Sequence, residues 1–150
     1  MGMSEGTYEI SGQAQGISEK LHAVFRVRRE IVPSHVQTYF DTFDWRLYRH
    51  GSMLKAEGSS AKQSLRWGSL PDRKNQSGEA IYHTWHPISV AGPFFVGDLP
   101  PDRYRDGLTA LVKMRRLLPV VKIKCRGQAL HILDRREKTV VRVLIEQGTA

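Results

Sequence analysis

The sequence predicts an α+β domain over residues 1–150, dominated by antiparallel strands and carrying two short helices. Three observations predict it. Alternation with a period of two is clearest in Val120-Val121-Lys122-Ile123-Lys124-Cys125-Arg126. There Lys122, Lys124 and Arg126 take one face of a strand, and Val121, Ile123 and Cys125 take the other. Helical spacing is confined to two stretches, one after Ser18 and one after Pro101. Gly, Pro and Ser clusters punctuate the remaining runs at hairpin intervals, and no internal repeat is present.

The elements follow in order. Residues 1–16 are rich in Gly and Ser, with one short strand candidate at Thr7 to Ile10. Ser18 is placed to cap a helix bearing Leu21, Val24 and Phe25, and Pro33 is expected to stop it. Val36 to Asp41 reads as a strand, the Asp44 region as a turn, and Leu47-Tyr48 as the start of another extended stretch. Gly51 breaks that stretch before a strand at Met53 to Glu57. Glu57-Gly58-Ser59-Ser60 then resembles a hairpin connection returning through Lys62 to Trp67. Residues 68–78 form a polar loop, Ala80 to Trp85 a strand, and Pro87, Pro93, Pro100 and Pro101 an irregular segment. Tyr104, Leu108, Leu111 and Val112 line the second helix, with Asp102 complementing its positive end. Strands are expected at Val120 to Arg126, Ala129 to Leu133 and Thr139 to Glu146.

Composition narrows the function class. A chain of 150 residues can bury a real core, and 25% charged residues is ordinary for a globular protein. The net charge of +8 and pI near 9.9 favour polyanionic partners: phosphate chains, nucleic acid or an anionic surface. A single cysteine, Cys125, rules out an intrachain disulfide and a multi-cysteine zinc site. No apolar run reaches the length of a membrane span, and the first residues lack the apolar core of a signal peptide. The expectation is a soluble, cytoplasmic protein with no membrane partner.

The common catalytic motifs are missing. There is no Gly-rich phosphate loop, serine elbow or metalloprotease histidine spacing. His83 and His86 lack a third ligand nearby and read as structural. Cys125 has the parity opposite to its cationic neighbours and reads as a buried, inert thiol. Asp41 and Asp44 flank a turn, where capping is commoner than catalysis. Trp45, Trp67 and Trp85 are candidates for stacking on bases, but spread through strand segments they are expected to fill core.

One stretch resembles a known family. Tyr39-Phe40-Asp41-Thr42, then Asp44, Leu47-Tyr48, Gly51 and Leu54-Lys55, is similar to the N-terminal half of a CYTH domain, the fold of triphosphate tunnel enzymes. The next strands of that family resemble Ser64-Leu65-Arg66-Trp67-Gly68, Val120 to Arg126 and Val141 to Gly148. The resemblance implies a strongly curved antiparallel sheet, a partial triphosphate-tunnel barrel, with inward cations. Lys55, Arg66, Lys122, Lys124 and Arg126 match the phosphate-binding positions. The departures are in the acids. The opening E-x-E-x-K signature is reduced to Glu9 within Tyr8-Glu9-Ile10-Ser11-Gly12-Gln13. Glu57 stands where the family has a cation, and Arg142 stands where an acidic or neutral residue is common. The family's second carboxylate pair would lie beyond Ala150.

Phosphoryl transfer needs metal ions to neutralise developing charge, and metals need those acids. The resemblance therefore implies a non-catalytic CYTH-like domain, with no cofactor, that binds polyphosphate or another triphosphate-containing ligand. Its wording is closest to bacterial CYTH domains fused to a CHAD module, so the chain is expected to be one CYTH-like domain or the N-terminal part of a CYTH–CHAD protein. A half-barrel leaves unpaired edges, which makes a homodimer one expected arrangement. Two alternatives stand beside this. One is a triphosphatase or nucleotidyl cyclase using Mg or Mn, with acids drawn from Glu9, Asp41, Glu57 and Glu146; of these Glu9, Glu57 and Glu146 are weak metal-ligand candidates. The other is an RNA-binding module built on the same basic strands and on exposed aromatics.

Overall fold

A computed structural model describes residues 13–59, 62–70, 80–90 and 92–150. The strand candidate Thr7 to Ile10, with Glu9, and most of the 68–78 loop lie outside the described residues. Among the described residues the architecture is α+β: six antiparallel strands in the order β4-β3-β2-β1-β5-β6, a sheet not closed by those strands. The strands are β1 (Arg26–Asp41), β2 (Ser52–Ser59), β3 (Lys62–Ser69), β4 (Ile81–Ile88), β5 (Leu118–Leu133) and β6 (Thr139–Thr149). The helices are α1 (Ala14–Val24), α2 (Arg46–Arg49) and α3 (Arg103–Val112), with a 3-10 turn at Val96–Asp98. Among the described residues three α-helices thus stand where two were expected. No helix among the described residues is long and apolar enough to cross a membrane.

The chain forms two compact units, with β1 divided after His35 and β5 after Ile123. The unit spanning Val36–Ile123 holds a large apolar core. Phe40, Leu54, Ala56, Leu65 and Trp85 supply it from the sheet, and Leu47 from α2. Phe94, Val96, Leu99, Leu108, Val112 and Leu117 cover it from the connecting segment and α3. In α3, Leu108 and Val112 are four residues apart and therefore share the buried face. Asp102 caps this helix by accepting from the Arg105 N–H at 2.7 Å, and it also accepts from Trp85 Nε1 at 3.0 Å. One carboxylate so ties the helix start to β4. His83 joins it, with Nε2 3.5 Å from Asp102 and its ring stacked on Tyr104 at 4.0 Å. This accounts for His83 as a structural histidine, while His86 is exposed.

The second unit contains α1, the earlier part of β1, the later part of β5, and β6. β5 and β6 pair from Lys124↔Thr149 to Leu133↔Thr139, and Asp134 closes the hairpin by accepting from the N–H groups of Arg136 and Lys138. Cys125, Ala129, Leu130 and Ile145 are buried here, and Cys125 is a free thiol as expected.

Four expectations need correction. The first helix does not reach Pro33; it ends at Val24, and residues 26–32 already belong to β1. Val27, Ile31 and Val32 favour extended backbone, and the residue before a proline is pushed out of the helical region. Ser18 is not a cap but a buried residue inside α1. Leu47-Tyr48 is helical rather than extended, because Asp41 draws the chain into a helical turn. Finally, Val120 to Arg126 and Ala129 to Leu133 are one unbroken strand through Gly127, whose open side lets the carbonyl of Ile145 pack within 2.9 Å of where a Cβ would stand.

Two measurements test this packing. Leu65→Ala, at a fully buried position in the centre of the sheet, should lower unfolding free energy by about 2–5 kcal/mol in urea denaturation. The Asp102 carboxyl sits below its ordinary range, chiefly because of the Arg105 backbone hydrogen bond; burial opposes this and the Trp85 hydrogen bond adds to it. A depressed carboxyl stabilises the fold above its unfolded pKa and loses that contribution as pH falls through the folded value. Below about pH 4, the usual unfolded value for aspartate, the melting temperature of the wild type should therefore fall more steeply than that of Asp102→Asn.

Candidate functional site

Directly opposed residues in an antiparallel ladder lie on the same face of the sheet. β1 pairs Tyr39 with Lys55, β2 pairs Lys55 with Arg66, and β3 pairs Arg66 with Thr84. Tyr39, Lys55, Arg66 and Thr84 thus form one row across four strands. Their neighbours Phe40, Leu54, Trp67 and Leu65 have the opposite parity and face the apolar core. Lys55 and Arg66 are therefore brought together on the side of this sheet turned away from the core.

Two cations directly opposite one another are destabilising unless something offsets the repulsion. Lys55 is only 6% exposed, and its Nζ lies 5.9 Å from the centroid of the Tyr39 ring. Glu57, two residues along β2, shares the face. Its Oε2 lies 3.8 Å from Arg66 Nη1, and its Oε1 accepts from Gln37 Nε2 at 3.4 Å. Glu57 therefore acts as a built-in counter-ion to the basic row.

The other sequence candidates are placed differently. Lys122 is exposed and lines a cavity of about 130 Å³ with Thr38, Phe40, Gln63, Val90, Gly92 and Pro119. Thr38, Phe40 and Gln63 carry the core-side parity, so Lys122 does not extend the Lys55–Arg66 row. Lys124 and Arg126 belong to the second unit, where they are exposed on either side of buried Cys125 and oppose Thr149 and Gln147. The alternation read from the sequence is present there. Glu146 is 3.7 Å from His35 Nε2. Among the described residues no group of three His, Cys, Asp or Glu side chains is arranged to hold a metal ion, and Glu9 lies outside them.

A second cluster escaped the sequence reading. Asp41, 4% exposed, accepts from the backbone N–H groups of Thr42, Leu47 and Tyr48 at 2.7, 2.9 and 3.0 Å. The tight turn this creates holds Trp45 in the left-handed region at φ 57°, ψ 43°. Phe43, Trp45 and Tyr48 are 71%, 47% and 65% exposed, so Trp45 does not fill core, whereas Trp85 does. Asp44 accepts from Thr42 Oγ1 at 2.8 Å and lies 3.1 Å from Arg46 Nε and 3.0 Å from Arg115 Nε. Burial pushes its carboxyl up, but the Thr42 hydrogen bond, the Arg115 charge and the Arg46 hydrogen bond outweigh this and hold it below the usual range. The signal in the sequence was the interleaving of aromatics with arginines from Phe43 to Arg49. It was masked because Leu47-Tyr48 reads as the start of an extended stretch and Trp45 as a core residue.

Set against protein-family models, curated proteins and solved structures, the chain matches none of them.

The Glu57 geometry yields a direct test. Glu57→Gln removes the counter-ion while keeping a hydrogen-bonding side chain opposite Gln37. Affinity for inorganic triphosphate, measured by calorimetry at low salt, is expected to rise by up to about fivefold, the scale of one exposed ion pair.

Proposed function

We propose that this protein is a non-catalytic module that binds polyphosphate or a similar phosphate-rich anion. The observation that carries this reading is the direct opposition of Lys55 and Arg66 on the face of the sheet away from the core. Two cations held opposite one another on one sheet face offer charge-assisted donors to the same phosphate from both strands. Lys122 in the one unit, and Lys124 and Arg126 in the other, are further exposed cations. The net charge of +8 concentrates such ligands near the surface.

The catalytic alternative is less well supported. Glu57, which would have to hold a metal, is engaged by Arg66 and Gln37. The reading keeps the resemblance to bacterial CYTH domains that stand beside CHAD modules, a cytoplasmic setting, and a homodimer formed through the edges of the sheet.

The deciding experiment is titration of linear polyphosphate by calorimetry at two salt concentrations. Binding should weaken steeply with salt, because each phosphate contact releases a counterion. Lys55→Gln with Arg66→Gln should reduce affinity by about tenfold or more, whereas Arg28→Gln with Arg29→Gln, at exposed positions of β1, should change it by less than about threefold. Equal losses in the two double variants would mean that net charge alone explains the binding. Phosphate release from triphosphate with Mg or Mn should stay at background; turnover abolished by Glu57→Gln would replace this reading with the enzymatic one.

A further inference from the structure

The Phe43–Arg49 segment presents aromatic rings to solvent by construction. A non-glycine residue in the left-handed region is strained, and for a bulky side chain such strain persists only where the surroundings enforce it. Here they do. The Trp45 N–H donates to the Thr42 carbonyl at 3.0 Å, the Arg49 N–H donates to the Trp45 carbonyl at 2.9 Å, and the three bonds to Asp41 lock the turn between them. The fold thus accepts strain at Trp45 in a position where the ring gains little burial.

Trp45 and Tyr48 stand 6.5 Å apart at 75° and, with Arg49, line an open hollow of about 450 Å³. Arg49 is the cation of its lining. Arg46 and Arg115 are both held at Asp44, and Arg115 also lies over the Phe43 ring at 5.7 Å. The acids of the segment are consumed internally, Asp41 by backbone N–H groups and Asp44 by Thr42 and the two arginines. A cationic ligand would meet Arg49 and be repelled. The complement of this surface is a flat, polarisable ring system attached to an anion.

We propose that the Trp45–Tyr48 hollow is a stacking site for a base of single-stranded nucleic acid, with Arg49 contacting the adjoining phosphate. Size separates this from a protein interface. Three exposed rings on one short turn fall far short of the roughly 1,000 Å² that a specific protein contact needs, yet one or two stacked bases require no more than they offer. The site is made of different residues from the Lys55–Arg66 row and does not depend on that row binding polyphosphate.

The experiment is fluorescence anisotropy with a labelled single-stranded RNA of about six nucleotides, an abasic strand of equal length and charge, and linear polyphosphate as competitor and control. The RNA should bind about tenfold more tightly than the abasic strand, the scale of stacking one base. Tyr48→Ala and Trp45→Asn, the latter tolerant of the left-handed backbone, should each remove that margin, and Arg49→Gln should weaken both strands alike. Polyphosphate affinity should not move in the Tyr48 and Trp45 variants. Should Trp45→Asn fail to fold, Tyr48→Ala decides the question, because that side chain is exposed and its backbone bond to Asp41 remains. Equal affinity for the RNA and abasic strands, or a margin that survives Tyr48→Ala, would overturn the proposal. So would a dimer seen in sedimentation that Tyr48→Ala abolishes, since the face would then be an interface between copies of this chain.

Discussion

The Asp41 carboxylate is the constraint on which the best-built part of this protein depends. It is buried, and a buried charge persists only when hydrogen bonds replace its hydration. Three backbone N–H donors do so, from Thr42, Leu47 and Tyr48. These bonds end β1, start α2 and satisfy donors that no helical turn can satisfy internally. The turn drops Leu47 into the core and returns the chain through Gly51, at φ 67°, into β2. The same turn forces Trp45 outward. Core packing and the exposed aromatic hollow are thus two outcomes of one set of bonds.

From that turn follows the register of the sheet. Phe40 opposite Leu54, Ala56 opposite Leu65 and Leu65 opposite Trp85 fix which residues face the core. Because side chains alternate strictly, a slip of one residue would move Leu54 to the polar face and Lys55 into the core. The apolar cluster is therefore what holds Lys55 and Arg66 opposite one another. Repulsion between them is tolerated because large apolar burial on the other face outweighs it, and because Glu57 lies within reach.

The distribution of acids completes the electrostatic picture. Asp41, Asp102 and Asp134 accept backbone N–H groups at turns and helix starts, Asp44 gathers Thr42, Arg46 and Arg115, and Glu57 serves Arg66 and Gln37. Negative charge is spent on local architecture, while Lys122, Lys124, Arg126 and Arg49 stand exposed. The excess of cations in the composition thereby becomes a surface property, which is why anionic ligands suit both of the sites proposed here.

Period-two alternation is a local property, so the sequence by itself determined the extended stretches Val36 to Asp41 and Thr139 to Glu146, buried Cys125, the α3 helix with Asp102 near its positive end, and the hairpin from Met53 to Trp67. Strict alternation leaves each strand few ways to bury its apolar row, and an aspartate near a helix start complements the helix dipole at short range. Tertiary structure decided the rest. Pro33 falls inside β1 rather than ending a helix, since long-range pairing outweighs the weak helical spacing before it. Leu47-Tyr48 became helical through a carboxylate six and seven residues away, a contact no periodicity records. Which cations meet was likewise beyond the sequence: shared parity within a strand cannot say which strand lies alongside. Register put Lys55 opposite Arg66, and left Lys122 to line a separate cavity with residues of the core-side parity.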